Sequence, residues 1–218
     1  MNGVDMDHSR RSLAAALAGL AATRPLSALA QGGPTYRFSP VNQYGIELTA
    51  RYWNPIIEHV SSKSGVKLEL KIGRTSADTT AYVLANEVEF IFSNHLFSPE
   101  RDGLGWRVIG RRQTTPLHSQ IVVLDSSPIR RLEDLQGQSV AFPGPEATVA
   151  YKFSYGQLLK RNINVQVVFG GNMDGAFAQL LSGKVQAAGT QSQLAEGWSK
   201  RENQKLRVLW QSDPLHDL

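Results

Sequence analysis

The sequence predicts an α/β protein of two successive lobes, each a mostly parallel sheet flanked by helices. Three observations predict it. Strand-like and helix-like segments alternate through residues 35–210, the pattern of a sheet wrapped by its crossover helices. Glycines close several of the helical segments, as at Gly65, Gly137 and Gly183. Residues 138–151 then turn abruptly from an apolar strand, Val140-Ala141-Phe142, through Pro143-Gly144-Pro145 into an amphipathic segment that runs to about Arg161. Such a joint points the free N–H groups of a first helical turn at the carboxyl edge of the sheet. It makes a seat for an anion or polar ligand, although an ordinary strand–loop–helix joint reads the same way. Pro145 suits a first helical position, where its missing N–H costs nothing.

The elements follow in order. Residues 35–38 read as a strand. Leu48, Tyr52, Ile56 and Val60 then share one helical face, with Pro55 expected to kink that helix or mark a late start. Residues 66–72 alternate as a strand, Ser76 is a candidate cap for a helix to about Asn86, and residues 88–92 and 106–110 read as further strands. The first lobe is thus assigned to 31–116. After a crossing at 114–119 the second lobe occupies 117–212. It comprises a strand at 119–124, a short helix at 127–137, the 138–151 joint and a strand at 165–169. A helix led by Asp174, a strand ending at Gly189-Thr190-Gln191, a helix through Trp198 and a strand at 206–210 complete it. Asp174 reads as an N-cap more readily than as a ligand contact.

Composition removes several function classes. The chain has 218 residues, 41% hydrophobic and 19% charged, and no cysteine. Disulfides, thiolate chemistry and Cys-based metal sites are therefore out. The five histidines have no metal-ligand spacing, and neither a nucleophile elbow nor a phosphate-binding glycine loop is present. A net charge of +4 with scattered Lys and Arg argues against nucleic acid. No cofactor is expected.

The N-terminus has its own pattern. Ser9-Arg10-Arg11-Ser12-Leu13 precedes a weakly apolar Ala/Leu/Gly run and then Ala28-Leu29-Ala30. A charged start, a short apolar core and a small-residue end describe a removable export signal over 1–30. The run is too short to span a bilayer, and the paired arginines favour the twin-arginine route. The expected location is the periplasm.

The blocks that follow carry a resemblance. Ser127-Pro-Ile-Arg-Arg-Leu-Glu-Asp-Leu-Gln-Gly-Gln-Ser-Val-Ala-Phe142 resembles the "S-P-I-x-x-L-x-D-L-x-G-K-x-V-A-F" block of type II periplasmic solute-binding proteins. With Trp53-Asn-Pro-Ile56, Leu84-Ala-Asn-Glu-Val-Glu-Phe90 and the Ala178–Ala187 block, the chain is similar to the phosphate/phosphite/phosphonate-binding family of ABC transporters over about 36–212. The resemblance implies a small ligand, an oxyanion by family pattern, held between two lobes and delivered to a transporter permease. The implied site comprises Tyr44, Asn94, His95, Ala147, Thr148, Asn172, Met173 and Thr190.

Three positions depart from the family pattern. Thr148 is the one hydroxyl left in the helix opening, Met173 replaces a histidine and Gln186 an aspartate. Glu146 adds a conflict, because two unit charges about 4 Å apart repel by about 4 kcal/mol at an effective dielectric near 20. Helix-terminus attraction returns only about 0.3–2 kcal/mol. Either Glu146 faces solvent as a first-turn acid, or the ligand is not a phosphonate dianion. Met173 and Gln186 weaken the oxyanion case in the same direction. Residues 213–218 begin a return segment that further first-lobe elements follow in the family, so the first lobe is expected to be short of a strand and its helices. A sensor module feeding a membrane signalling protein, or an enzyme on this fold, are the other function classes.

Overall fold

The computed structural model describes residues 33–93, 96–113 and 115–215. The expected export signal lies outside them, as do the candidate site residues Asn94 and His95. Both sheets belong to a single unit, Pro34–Leu218.

The first sheet has the order β2-β1-β3, built from β1 (Thr35–Pro40), β2 (Lys67–Leu70) and β3 (Phe90–Phe92). Both pairings are parallel, as crossover helices between the strands require. The first crossover, α1 (Ile46–Ser64), runs unbroken through Pro55 and stops where Gly65 turns left-handed at φ 72°. Trp53 on this helix packs against Phe38 and Phe92 at ring-centre distances of 5.0 and 5.1 Å. That tertiary contact holds the helix past the proline, so the expected late start does not occur. The second crossover, α2 (Ser76–Leu84), is capped by Thr75 rather than Ser76. Thr75 Oγ1 accepts the Asp78 N–H while the Asp78 carboxylate accepts the Thr75 N–H, both at 3.1 Å, a reciprocal capping box. Residues 106–110 form no strand: Val108 and Ile109 are largely exposed and no ladder pairs them. The short α3 (Pro99–Gly103) precedes them.

The second sheet has the order β6-β5-β7-β4-β8. Its strands are β4 (Ser119–Leu124), β5 (Ser139–Phe142), β6 (Gln166–Phe169), β7 (Ala187–Gln191) and β8 (Leu206–Gln211). β5 pairs parallel with β6 and β7, whereas β4 is antiparallel to β7 and β8. The chain arrives in this lobe at the edge where β5 and β7 end, so β4 must run away from it. Sequence alternation alone does not reveal that reversal. The helix expected at 127–137 is a single 3-10 turn, Leu132–Leu135. The Asp134 carboxylate accepts the N–H groups of both Arg130 and Arg131 at 2.9 Å, which turns the chain without a longer helix.

α5 (Met173–Leu181) and α6 (Ser192–Glu202) flank the sheet, and two layers of apolar side chains make the core. One gathers Phe177, Leu180 and Trp198, the other Ile121, Leu135, Phe142 and Leu158. Asn172, not Asp174, caps α5, accepting the Gly175 N–H at 2.8 Å.

The segment that enters β4 and the one that leaves β8 are tied to each other. Leu117 and Leu215 pair through N–H···O bonds of 2.8 and 2.7 Å, and Ser212 Oγ accepts the Ser119 N–H at 3.0 Å. Residues 117 and 215 thus form a short antiparallel bridge beside β4 and β8.

Candidate functional site

The carboxyl ends of β5 and β7 meet the same edge as the crossing segments, because Ser119 at the start of β4 lies opposite Gln191 at the end of β7. After β5 the chain makes a turn at Pro145 and Glu146, and helical geometry starts only at Thr148. Pro145 is therefore not a first helical residue, and Glu146 is not in the first turn. Residues Thr148–Phe153 form a wide π turn that continues into α4 (Ser154–Lys160). The Ala147 carbonyl accepts both Tyr151 N–H and Lys152 N–H, at 2.9 and 3.0 Å, which marks the change of helical pitch. Gly189 permits the close seating of this turn. A β-carbon there would lie 2.3 Å from the Phe142 ring and 2.5 Å from the Ala150 carbonyl oxygen.

The first lobe approaches this edge through glycines. Gly144 faces the Ser76 side chain so closely that a β-carbon would fall 2.6 Å from its oxygen. Ser76 donates both its N–H and its hydroxyl to the Gly171 carbonyl, at 2.9 and 3.0 Å. Asp174 Oδ2 accepts the Gly45 N–H at 3.1 Å, and its other oxygen pairs with Arg201. The lobes are thus joined across the gap by direct hydrogen bonds.

Between them lies a cavity of about 60 Å³, about four to six times what a single water needs. Three polar side chains on its wall, Gln43, Thr148 and Gln191, make no hydrogen bond within the protein. The N–H groups of the first turn from Thr148 onward start a helix and have no preceding helical carbonyl to bond. Asn42 also lines the wall, but its amide is spent on the Gly73 carbonyl at 2.6 Å and its oxygen on the Thr79 hydroxyl. Oriented donors therefore converge on a small volume from both lobes.

The expected residues divide by place. Ala147, Thr148 and Met173 line this cavity. Met173 is 2% exposed and belongs also to the second-lobe core. Tyr44 lines an adjoining chamber of about 150 Å³ that shares Gln43, Gln191 and Leu194 with the first. Burial pushes the Tyr44 hydroxyl above its ordinary pKa. The Asn172 side chain is occupied as the α5 cap. Thr190 is fully buried and donates to the Gln191 carbonyl at 3.2 Å, so the strand alternation brings Gln191, one residue on, to the cavity instead. Gln43 and Gln191 were not among the expected residues. For Gln191 the available signal was its place at the carboxyl end of a strand.

Two anticipated conflicts take a different form. Gln186 sits at the opposite, amino-terminal edge of β7, where its side-chain oxygen accepts the Ser139 N–H at 3.1 Å. It has no bearing on the ligand. Glu146 lines the cavity and is half exposed, with Oε2 3.0 Å from Lys152 Nζ. A larger apolar hollow of about 660 Å³ lies on the first lobe among Trp53, Ile57, Val60, Phe90 and Trp106. It is lined chiefly by apolar side chains and lies away from the carboxyl strand ends of the second sheet. Among the described residues no cluster of His, Asp and Glu suited to a metal ion occurs, and no helix is long and apolar enough to cross a membrane.

Two α/β lobes closing on a cavity at the strand ends define the type II periplasmic-binding-protein class. Solved structures with this fold include a binding-protein component of an ABC phosphonate transporter from Pseudomonas aeruginosa, at TM-score 0.67 and 14% identity over 84% of this chain and 66% of that one. PhnD1 from Prochlorococcus marinus, in complex with methylphosphonate, gives 0.69 and 15% over 83% and 73%. An ancestral arginine-binding protein bound to glutamine gives 0.60 and 19% over 84% and 81%. The chain thus spans about two thirds of the length of the Pseudomonas protein. No curated protein matches it by sequence. The sequence profile of the family described as "ABC transporter, phosphonate, periplasmic substrate-binding protein" matches residues 38–218, and the chain belongs to that family. The family is a solute-binding transporter component, not an enzyme family.

Proposed function

We propose that this protein is an exported solute-binding protein that captures a small phosphonate-type oxyanion between its lobes and delivers it to an ABC transporter permease. The observation that carries the reading is the convergence of the Thr148 hydroxyl, the first-turn N–H groups and the Gln191 side chain on about 60 Å³. Helix N-termini attract anions through their unpaired N–H groups. The volume suits a headgroup of four or five heavy atoms such as phosphite or methylphosphonate, by the same water-sized measure of about 10–15 Å³ per site. It does not suit an entire arginine. The Glu146 charge is paired with Lys152, which softens its repulsion toward a bound anion.

Titration calorimetry with methylphosphonate, phosphite, phosphate and an uncharged solute tests the reading. Preference for the oxyanions is the expected result, and preference for the uncharged solute overturns it. Export is the second part of the proposal. Mature protein is to begin near Gln31, and replacing Arg10 and Arg11 by Lys is to hold the precursor in the cytoplasm.

A further inference from the structure

The adjoining chamber of about 150 Å³ is walled by a row of aromatic rings, Tyr44, Tyr52, Trp53 and Phe92. Tyr44 stands 6.4 Å from Tyr52, Tyr52 stands 6.1 Å from Trp53, and Trp53 stands 5.1 Å from Phe92, centre to centre. Rings at such spacings pack edge to face or offset, and a further flat or apolar group can join them. Tyr52 is 55% exposed, so it keeps ring surface for a ligand to cover.

An aromatic wall ordinarily suggests a cage for an ammonium group. Here two rings of the row already carry cations of the protein. The Arg201 guanidinium lies 5.6 Å over the Tyr44 ring and that of Arg112 lies 5.3 Å over the Phe92 ring. No carboxylate occurs on the described lining of the chamber, and the nearby Asp174 is committed to the Gly45 N–H and to Arg201. Gln43, Gln191 and Gln193, also on the lining, are uncharged.

The two chambers share the walls Gln43, Gln191 and Leu194, so a headgroup in the first directs its substituent into the second. At about 10–15 Å³ for each water-sized site, the second chamber has room for a benzene ring, and a methyl group leaves most of it unfilled.

From this we infer that the ligand is a phosphonate with an uncharged, apolar substituent, alkyl or aryl, that lies against the ring row. Phosphite and methylphosphonate then use only the first chamber. The inference rests on the oxyanion reading of that chamber and deepens it. Apolar surface taken out of water against the rings favours the larger substituent in proportion to its area.

Methyl-, propyl- and phenylphosphonate form the deciding series, and (2-aminoethyl)phosphonate matches the propyl compound in length but carries a cation. Calorimetry on the wild-type protein is expected to show affinity rising about fourfold for each added methylene. Phenylphosphonate is expected to bind about tenfold or more tighter than methylphosphonate. Tyr52→Ala is expected to shrink the phenyl-to-methyl ratio several-fold, and an unchanged ratio overturns the inference. Should that variant fail to fold, the wild-type ratio decides by itself. Phenyl- and propylphosphonate binding no tighter than methylphosphonate, or the aminoethyl compound binding tighter than the propyl one, overturns the inference and leaves the oxyanion reading standing. Absence of binding for methylphosphonate and phosphite alike overturns the oxyanion reading and this inference with it.

Discussion

The carboxylate of Asp174, in the second lobe, accepts the backbone N–H of Gly45, in the first, at 3.1 Å. Its other oxygen holds Arg201, whose guanidinium in turn covers the Tyr44 ring. One side chain therefore links the α5 start, α6 and the loop that opens α1. Because Asn172 already caps α5, Asp174 is free to act between the lobes. Asp174→Ala is expected to keep the fold but favour the open form, weakening ligand binding by about 10–150-fold on the scale of a hydrogen bond to a charged group. Small-angle scattering should show a larger radius of gyration without ligand. Wild-type affinity and compactness in the variant would assign closure to other contacts.

Thr148 and Gln191 line the cavity from two elements of the second lobe and are expected to contribute separably to binding. Thr148→Val and Gln191→Leu keep most of the side-chain volume while removing the polar groups. Each is expected to cost about 0.5–1.5 kcal/mol of affinity, and up to about 3 where the contact is to a charged oxygen. Calorimetry checks both, and affinity unchanged in the pair would move the site away from the β5 and β7 ends.

Glu146 is half exposed and paired with Lys152 at 3.0 Å. Exposed pairs of this kind are worth about 0–1 kcal/mol. Glu146→Gln is accordingly expected to alter methylphosphonate affinity by less than about fivefold. A gain of two orders of magnitude would mean that the carboxylate opposes the ligand directly.

Stability should carry an acid-side signature from the first sheet. Arg37 holds the Glu89 carboxyl down at about 2, first through its side-chain hydrogen bonds and then through its backbone N–H. A depressed carboxylate adds stability above its unfolded pKa and loses it as pH falls toward the folded value. Wild type should therefore melt above Glu89→Gln at neutral pH, and the gap should close as pH falls from 4.5 to about 2. A gap independent of pH would assign the difference to packing.

Several features were legible because they depend on neighbours along the chain. The apolar spacing through Leu48, Tyr52, Ile56 and Val60 marks α1, and Gly65 ends it because a left-handed residue without a β-carbon closes a helix cheaply. The strand–turn–helix joint after Phe142 was likewise readable, since an apolar run broken by Pro-Gly-Pro cannot continue as a strand. Thr148 as a cavity residue follows from that joint.

What the sequence determined by itself was the alternation of elements, the α/β class and the family. Local spacing sets the first two, because burial of one face repeats with the period of the helix or strand, and the family rests on the resemblance carried by blocks such as Ser127–Phe142. What only the tertiary structure decided was direction and facing. The antiparallel run of β4, the exchange of Thr190 for Gln191 at the cavity, the remoteness of Gln186 and the crossing bond from Asp174 to Gly45 all depend on partners distant in the chain. A one-residue shift along a strand reverses the face presented, and the Asp174–Gly45 contact spans 129 residues. Local pattern carries no record of such pairings, since they exist only once segments distant in the chain have packed together.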